Sequence, residues 1–318
     1  MIPADFDGYF ADPFVLRLAD GSYVAYGSPE GPSDGDLVFE ALRSDDLAHW
    51  SSVGPVLRRV DAALGGDYWA PEVIEADGFF WMYFSAGHGI IGHHIRVAKA
   101  ETPFGPFVDQ AVSLTPNETF AIDAHPFVDD DGSKFLYFAR DVVDAERPGT
   151  HLAMMPLATW TTSGGETTEV LAPQADWQIY ERNREIYGRR LDWHTLEGPS
   201  VVRRRGRYWL TFSGGAWTGP GYAVSWAVSD SPSGPWQMAP REQPALLSSG
   251  TDFSGPGHNS LTVAPDGRDA IAFHSWDESR ALRQLHVHHI TFGPEGPRVD
   301  GPIRGPSTQP DTFAISKP

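Results

Sequence analysis

The sequence predicts an all-β fold, a single five-bladed β-propeller, from three observations: a fivefold repeat, the spacing of its copies and the absence of helical patterning. Each copy has a short apolar strand, a tight turn with glycine and a second, aromatic-rich strand. The copies start near Asp12, Ala70, His125, Gly198 and His258. Because no segment shows sustained 3.6-residue apolar spacing with caps, a helical fold is disfavoured.

The spacing of the repeats predicts one four-stranded blade for each copy. The anchor residues, one near the start of each copy, are Pro13, Pro71, Pro126, Pro199 and Asn259, and they lie 58, 55, 73 and 60 residues apart. The longest irregular stretch, 172–196, is expected to form a loop over the functional site. Since only about 20 residues follow Pro297 in the last blade, residues 1–318 are predicted to form one domain without an accessory domain.

Composition limits the partners of this chain. The 318 residues carry a formal net charge of −18, which disfavours nucleic acid because phosphate binding depends on Lys and Arg. The chain has no Cys, its first residues lack the regions of a signal peptide, and no apolar run is long enough to span a membrane. We therefore expect a cytoplasmic protein with an uncharged substrate and no membrane partner. The sequence leaves the oligomeric state open.

Three carboxylates lie just before three of the anchors. Asp12, Asp123 and Glu197 precede their anchors by one, three and two residues. The innermost strands of a propeller begin near its axis, so these side chains are predicted to converge at one end of the channel. A single Asp at such a place is usually a turn or strand-edge residue, but three at comparable repeat positions indicate a site.

Carboxylates crowded into one apolar pocket acquire different pKa values, which supplies an acid and a base at the same pH. Inverting glycoside hydrolysis needs such a pair roughly 6.5 to 9.5 Å apart, with a water between the base and the sugar. We assign Asp12 as the general base and Glu197 as the general acid. Asp123 is predicted to raise the pKa of Glu197 and to orient it.

Six stretches in chain order resemble glycoside hydrolase family 43, the five-bladed propellers that include α-L-arabinofuranosidases, β-xylosidases and arabinanases. These stretches are FADPFV, YWAPEV, AIDAHPFVDDDG, LEGPSVV, GPGHNSL and LRQLHVHHITFGPEGPRVDGP. The resemblance covers nearly the whole chain and implies that the family's base, pKa-modulating acid and proton donor fall on Asp12, Asp123 and Glu197.

The resemblance also implies roles for residues around the carboxylates. His258 would face the axial channel, where family members often hold calcium or another cation largely through water, although one imidazole is a poor calcium ligand and a core histidine is the alternative. Arg283 would contact sugar hydroxyls, or be a solvated strand-end arginine. Trp69 would be the aromatic floor under the sugar or part of the core. Apart from the resemblance, the positions of Trp193 and His194 just before Glu197, and of Trp217 beyond the fourth hairpin, predict outer walls of the site. The chemistry requires no cofactor.

Other motifs are weaker. GHGIIG at 87–92 precedes a predicted strand instead of a helix, so it is interpreted as a loop and not a nucleotide site. HVHH at 286–289 is interpreted as a surface strand because no third zinc ligand is evident. The sequence therefore predicts an exo-acting, inverting α-L-arabinofuranosidase on arabinan or arabino-oligosaccharides. The alternatives are a β-xylosidase and, from another class, a non-catalytic glycan-binding propeller.

Overall fold

The computed structural model describes residues 2, 4–31, 35–239 and 242–305. These residues form an all-β structure of 22 strands with one short 3-10 helix, Asp176–Gln178. The prediction of an all-β fold is confirmed. Over the described part of the chain, no helix has the length and apolar character needed to cross a bilayer.

The first eight strands form two groups of four antiparallel strands, each paired in chain order. Group 1 contains β1 (Ala11–Arg17), β2 (Tyr23–Ser28), β3 (Leu37–Ser44) and β4 (Ser51–Arg58). Group 2 contains β5 (Asp67–Ala76), β6 (Phe79–His88), β7 (Ile91–Ala100) and β8 (Val108–Ser113).

The middle of the chain forms a ten-stranded sheet made of two antiparallel groups. Group 3 contains β9 (Ala121–Val128), β10 (Lys134–Val142), β11 (Gly149–Thr159), β12 (Thr162–Ser163) and β13 (Thr168–Leu171). A hairpin follows, from β14 (Ile179–Ile186) into β15 (Arg189–Arg204), and group 4 continues from β15 through β16 (Arg207–Gly214), β17 (Ala223–Ser229) and β18 (Gln237–Met238). Among the described strands, the pairing that joins groups 3 and 4 is the parallel contact of β11 with β15 at two residue pairs, so the two groups are nearly separate sheets.

Group 5 completes the described fold with β19 (Ser254–Val263), β20 (Asp269–Trp276), β21 (Arg283–Gly293) and β22 (Gly296–Pro302). The first strands of the groups contact one another in cyclic order, β1 with β5, β5 with β9, β9 with β15, β15 with β19, and β19 with β1. Five apolar clusters follow the same order, one between each pair of neighbouring groups. Phe84 of group 2, for example, packs against Phe39 of group 1 with ring centroids 5.9 Å apart. The last group therefore packs against the first.

The first strand of every group has a pairing irregularity at one comparable point. The residue at this point has a positive φ in each group: Asp12 (51°), Ala70 (47°), Asp123 (60°), Gly198 (55°) and His258 (46°). We call these five the left-handed residues. In the other four groups the anchor directly follows the left-handed residue. In group 3 the residue that follows is Ala124, so the structure places the third anchor there and not at Pro126, two residues later.

Two segments differ from the sequence-based interpretation. Most of the stretch 172–196 is not irregular, because β14 and the first half of β15 form an antiparallel hairpin. The HVHH segment lies in β21, but it is not a surface strand, since His286 and His288 are only 3% and 2% exposed. GHGIIG forms the tight turn between β6 and β7 and its flanking strand ends, as expected for a connection between strands.

Candidate active site

Asp12, Asp123 and Glu197 line a single cavity of about 290 Å³. They come from β1, β9 and β15, the first strands of groups 1, 3 and 4; β9 and β15 contact each other, and β1 lies between β19 and β5 in the cyclic order. The three carboxylates therefore converge on one cavity, as the repeat predicts. The cavity volume lies near the lower end of the roughly 300 to 1,000 Å³ typical of small-molecule sites.

Asp12 is surrounded by one arginine and two histidines. Its Oδ1 lies 3.2 Å from Nη1 of Arg283, 3.4 Å from Nδ1 of His258 and 3.5 Å from Nδ1 of His274. The backbone N–H of Asp12 donates to Nδ1 of His274 at 3.0 Å, so that nitrogen carries no proton. Burial alone would raise the pKa of Asp12, but Arg283, with smaller contributions from the two histidines, holds it well below its ordinary value. Asp12 is therefore ionised.

The pKa of Glu197, unlike that of Asp12, is raised. Its Oε1 accepts a hydrogen bond of 2.6 Å from the hydroxyl of Tyr222. Burial raises the pKa of Glu197 to about 7 and the Asp12 carboxylate acts in the same direction, against the opposing effects of Tyr222 and Arg283. Near neutral pH Glu197 can therefore hold or release a proton beside an ionised Asp12.

Asp123 is electrostatically coupled to Glu197. Its Oδ2 accepts the backbone N–H of Gly198 at 3.0 Å, and its own N–H donates to Oγ of Ser85 at 3.1 Å. Burial, followed by repulsion from Glu197, holds the pKa of Asp123 well above its ordinary value. The two carboxyl groups thus resist simultaneous ionisation. Repulsion from Glu197 thus raises the pKa of Asp123, while the predicted effect of Asp123 on the pKa of Glu197 stays a prediction.

His258 lies between two of the carboxylates. Its Nδ1 is 3.4 Å from Asp12 and 3.8 Å from Oδ2 of Asp123, and burial lowers its pKa. Within the described ranges, no group of three or more His, Asp or Glu side chains is arranged to hold a metal ion. A calcium ion takes six to eight oxygen ligands, so the side chains around His258 do not fit directly bound calcium.

Arg283 lines the cavity but is not a solvated strand-end residue. Besides its contact with Asp12, its Nε lies 3.1 Å from the Tyr9 hydroxyl, and its guanidinium carbon is 4.6 Å from the centroid of the Trp217 ring. Trp217 also lines the cavity, at the position predicted for an outer wall. Arg283 therefore has two roles open to it, pairing with Asp12 and facing a ligand in the same cavity.

Trp69 forms a fixed aromatic surface of the cavity. Its ring stacks on the buried ring of His93, with centroids 3.6 Å apart and an interplanar angle of 15°, and Phe120 lies behind both rings. His93 also contacts the backbone oxygen of Gly89 at 2.9 Å, in the turn that carries the exposed Ile90 to the cavity rim. Trp69 thus lines the cavity while one of its faces is packed on His93.

Trp193 and His194 are not walls of this cavity. They are 2% and 4% exposed, and neither lines it. The reason is the β14–β15 hairpin: Trp193 packs near Tyr187 of its own hairpin, and Nε2 of His194 contacts Arg147. Tyr180 of the same hairpin lines the cavity instead. The stretch 172–196, predicted to lie over the site, does contribute to the cavity, but through Tyr180 instead of Trp193 and His194.

The model of glycosyl hydrolases family 43 matches residues 6–297 of this chain. The chain belongs to glycosyl hydrolase family 43. It is therefore an O-glycosyl hydrolase, and the resemblance seen in the sequence is confirmed.

Two curated family 43 relatives and one solved structure indicate how similar the chain is to known proteins. It is 31% identical to a β-D-galactofuranosidase of Aspergillus niger, over 92% of this chain and 82% of that protein. It is 28% identical to an extracellular exo-α-(1→5)-L-arabinofuranosidase of Streptomyces avermitilis, over 83% of this chain but only 54% of that protein. The solved structure is a thermostable family 43 glycoside hydrolase, with a TM-score of 0.81, 28% identity and coverage of 96% of this chain and 97% of that chain.

Several residues of this family 43 site could not be recognised in the sequence. Tyr222 and His274 stack on each other, with centroids 5.8 Å apart, and contact Glu197 and Asp12 respectively. A side-chain carbon at Gly257 would overlap the Tyr222 ring, so Gly257 leaves the room this ring needs. No motif marks Tyr222 or His274. The one available signal is that His274 occupies the same place in its hairpin as the serines of other repeats.

Replacement of Glu197 by Gln should stabilise the fold at high pH. The pKa of Glu197 is raised from 4.5 to about 7, so the free energy of unfolding falls as pH rises through this range, and the loss is complete above it. Glu197→Gln removes the ionisable group, and its advantage should grow between these pH values to about 1 to 3 kcal/mol.

Chemical denaturation at a series of pH values measures this difference. Glu75→Gln, at an exposed carboxylate on β5, controls for the general effect of losing one negative charge. A Glu197→Gln advantage that is the same at pH 5 and pH 8 would contradict the assignment of a raised pKa.

Proposed function

We propose that this chain is an inverting, exo-acting α-L-arabinofuranosidase. One observation carries the mechanism: a single cavity holds an ionised carboxylate, Asp12, and a carboxyl group, Glu197, that keeps its proton up to about pH 7. Hydrolysis with inversion needs this pairing of a base and an acid on opposite sides of the scissile bond.

Asp12 is the general base in this proposal. Its low pKa keeps it ionised, so it can accept a proton from a water molecule as that water attacks the anomeric carbon. Arg283 and His258 fix its position from two sides. The attacking water loses a proton to Asp12, and its oxygen forms the new bond as the glycosidic bond breaks.

Glu197 is the general acid. As the glycosidic bond breaks, the leaving oxygen takes the Glu197 proton, and the charge left behind is stabilised by the Tyr222 hydroxyl. Asp123 orients Glu197 through its hydrogen bond with the Gly198 peptide. The proton taken up by Asp12 and the proton given by Glu197 balance over one turnover.

The substrate assignment rests on the names of two relatives and on the size and lining of the cavity. The relative from Streptomyces avermitilis is named for the removal of arabinofuranose, and a cavity of about 290 Å³ suits a small sugar unit at the carboxylates. Trp69 offers an apolar ring face for the CH groups of that sugar. The Aspergillus niger relative favours a second candidate, a β-D-galactofuranoside, which has a five-membered ring as well. β-Xylosides remain the alternative from the sequence.

The proposed scaffold is a single five-bladed β-propeller, with groups 1 to 5 as its blades. Two features support it: the cyclic order in which the first strands contact one another, and the five apolar clusters that follow the same order. In this scaffold the left-handed residues surround the axis, and the cavity lies at one end of it.

A panel of substrates tests the assignment of the sugar. The 4-nitrophenyl derivatives of α-L-arabinofuranose, β-D-galactofuranose and β-D-xylose are compared side by side with linear arabinan. We expect kcat/KM for the arabinofuranoside to exceed the others by about tenfold or more, and arabinan to release single arabinose units. A preference for galactofuranoside or xyloside would overturn the sugar assignment while leaving the roles of the carboxylates intact.

The roles of the carboxylates are tested by amide substitutions. Asp12→Asn and Glu197→Gln should each reduce kcat by about a thousandfold, because they remove the base and the acid without changing the shape of the site. Proton NMR of the first-formed sugar should show the anomer opposite to that of the substrate. Retention of configuration would exclude Asp12 as a base that acts on water, and full activity of both variants would favour a glycan-binding role.

Tyr222→Phe tests the control of the acid. The Tyr222 hydrogen bond lowers the pKa of Glu197, so its removal should shift the basic limb of the kcat/KM profile to higher pH by about one unit. Tyr208→Phe, which removes a hydroxyl bound to Asp129, should keep the parent profile. A basic limb that stays in place or moves to lower pH would show that Glu197 is not the group titrated.

A further inference from the structure

The left-handed residues make a second set of contacts that repeats around the molecule. Four of them donate their backbone N–H to a side chain on the second strand of the preceding group. The pairs are Ala70 to Ser28, Asp123 to Ser85, His258 to Ser213 and Asp12 to His274, with distances of 2.8, 3.1, 2.7 and 3.0 Å. We call these four contacts the inter-group latches. They satisfy buried or half-buried N–H groups that the irregular strand pairing leaves free.

The four acceptors occupy one register position. Each lies opposite the residue before the left-handed residue of its own group: Ser28 opposite Ala11, Ser85 opposite Trp69, Ser213 opposite Glu197 and His274 opposite Gly257. In group 3 this position belongs to Ala139, opposite Ile122. Ala139 is fully buried, and its methyl group cannot accept a hydrogen bond.

The fifth left-handed residue, Gly198, therefore has a different partner. Its N–H donates to Oδ2 of Asp123 at 3.0 Å. This N–H belongs to the peptide unit that joins Glu197 to Gly198, so the hydrogen bond fixes the Asp123 carboxyl group against the backbone of Glu197. A carbon added at Gly198 would come within 3.2 Å of the His258 ring, and Gly198 has a φ of 55°, so glycine suits this position.

We propose that Ala139 is a positioning residue, because the lack of an acceptor at its position reserves the Gly198 N–H for Asp123. This inference rests on the function proposed above, in which Asp123 orients the acid Glu197. Serine at the same register position accepts the equivalent N–H in groups 1, 2 and 4. A serine at 139 would compete for the Gly198 N–H and release Asp123 from Glu197.

Ala139→Ser gives the first test, with kinetics as the measurement. We expect kcat on arabino-oligosaccharides to fall about tenfold, the size expected for losing one hydrogen bond to a carboxylate, with little change in KM. The loss on 4-nitrophenyl α-L-arabinofuranoside should be smaller, because 4-nitrophenolate leaves with less help from an acid. Ala139→Cys, of similar size but with a weakly accepting sulfur, should keep the parent's ratio of the two kcat values.

Equal losses on both substrates, or the same change of ratio in the Ser and Cys variants, would mean that crowding in the core causes the effect. Either result overturns the inference. Unchanged kinetics in Ala139→Ser would do so as well.

Thermal stability gives a second test that does not depend on activity. Asp123→Ala leaves the Gly198 N–H buried without its acceptor, which destabilises the fold. Adding Ala139→Ser to this variant supplies a new acceptor and should raise Tm by about 2 °C. Adding Ala139→Cys should give no such increase. If the serine also fails to raise Tm, position 139 does not reach the Gly198 N–H, and the inference is wrong.

Asp123→Asn separates this inference from the proposed function. Parent-like activity of Asp123→Asn on arabino-oligosaccharides would show that Asp123 does not assist the reaction, and the proposed function would fail at this residue. Loss of activity in Asp123→Asn together with parent-like behaviour of Ala139→Ser in both tests would remove only the role of Ala139.

Discussion

The ion pair between Arg283 and Asp12 is the interaction on which the rest of the site depends. A buried carboxylate without a partner takes up a proton, because ionisation away from water is costly. Arg283 keeps Asp12 charged, and that charge in turn raises the pKa of Glu197. Without the guanidinium, burial would favour the protonated form of Asp12. Tyr9 and Trp217 hold the guanidinium in place, so their contribution to the chemistry passes through Arg283.

A local irregularity of the backbone gives these side chains their direction. A regular strand alternates its residues between two faces, whereas each first strand here has one left-handed residue at which pairing is interrupted. A residue with a Cβ reaches this conformation at a cost of about 1 to 2 kcal/mol, and a hydrogen bond from its N–H to the neighbouring group offsets that cost. Asp12 and Asp123 use the left-handed position itself, while Glu197 comes one residue earlier, next to Gly198. The same irregularity thus presents carboxyl groups to the cavity from two neighbouring sequence positions.

Much of this arrangement could be predicted from the sequence because the repeated hairpins can be recognised in it. The periodic hairpins predicted the all-β class and the convergence of Asp12, Asp123 and Glu197, and the family resemblance added Trp69 and Arg283. Strand irregularities leave no clear mark in a sequence, which is why the third anchor was placed two residues late, at Pro126. Trp193 and His194 were assigned to the site because polar strands of a hairpin resemble a loop. His274 contacts Asp12 of another group, and Tyr222 contacts Glu197 from the chain between β16 and β17; such contacts exist only after the strands have packed together.

The packing of the last group against the first has a consequence for biosynthesis. Asp12 is made near the start of the chain, but its partners His274 and Arg283 are made more than 260 residues later. During translation the N-terminal strands leave the ribosome long before these partners exist, and the Asp12 carboxylate then remains in water with an ordinary affinity for protons. In a nascent chain Asp12 therefore lacks the Arg283 pair that keeps it ionised when buried, and the cavity forms only after the C-terminal strands have been released and have packed against group 1.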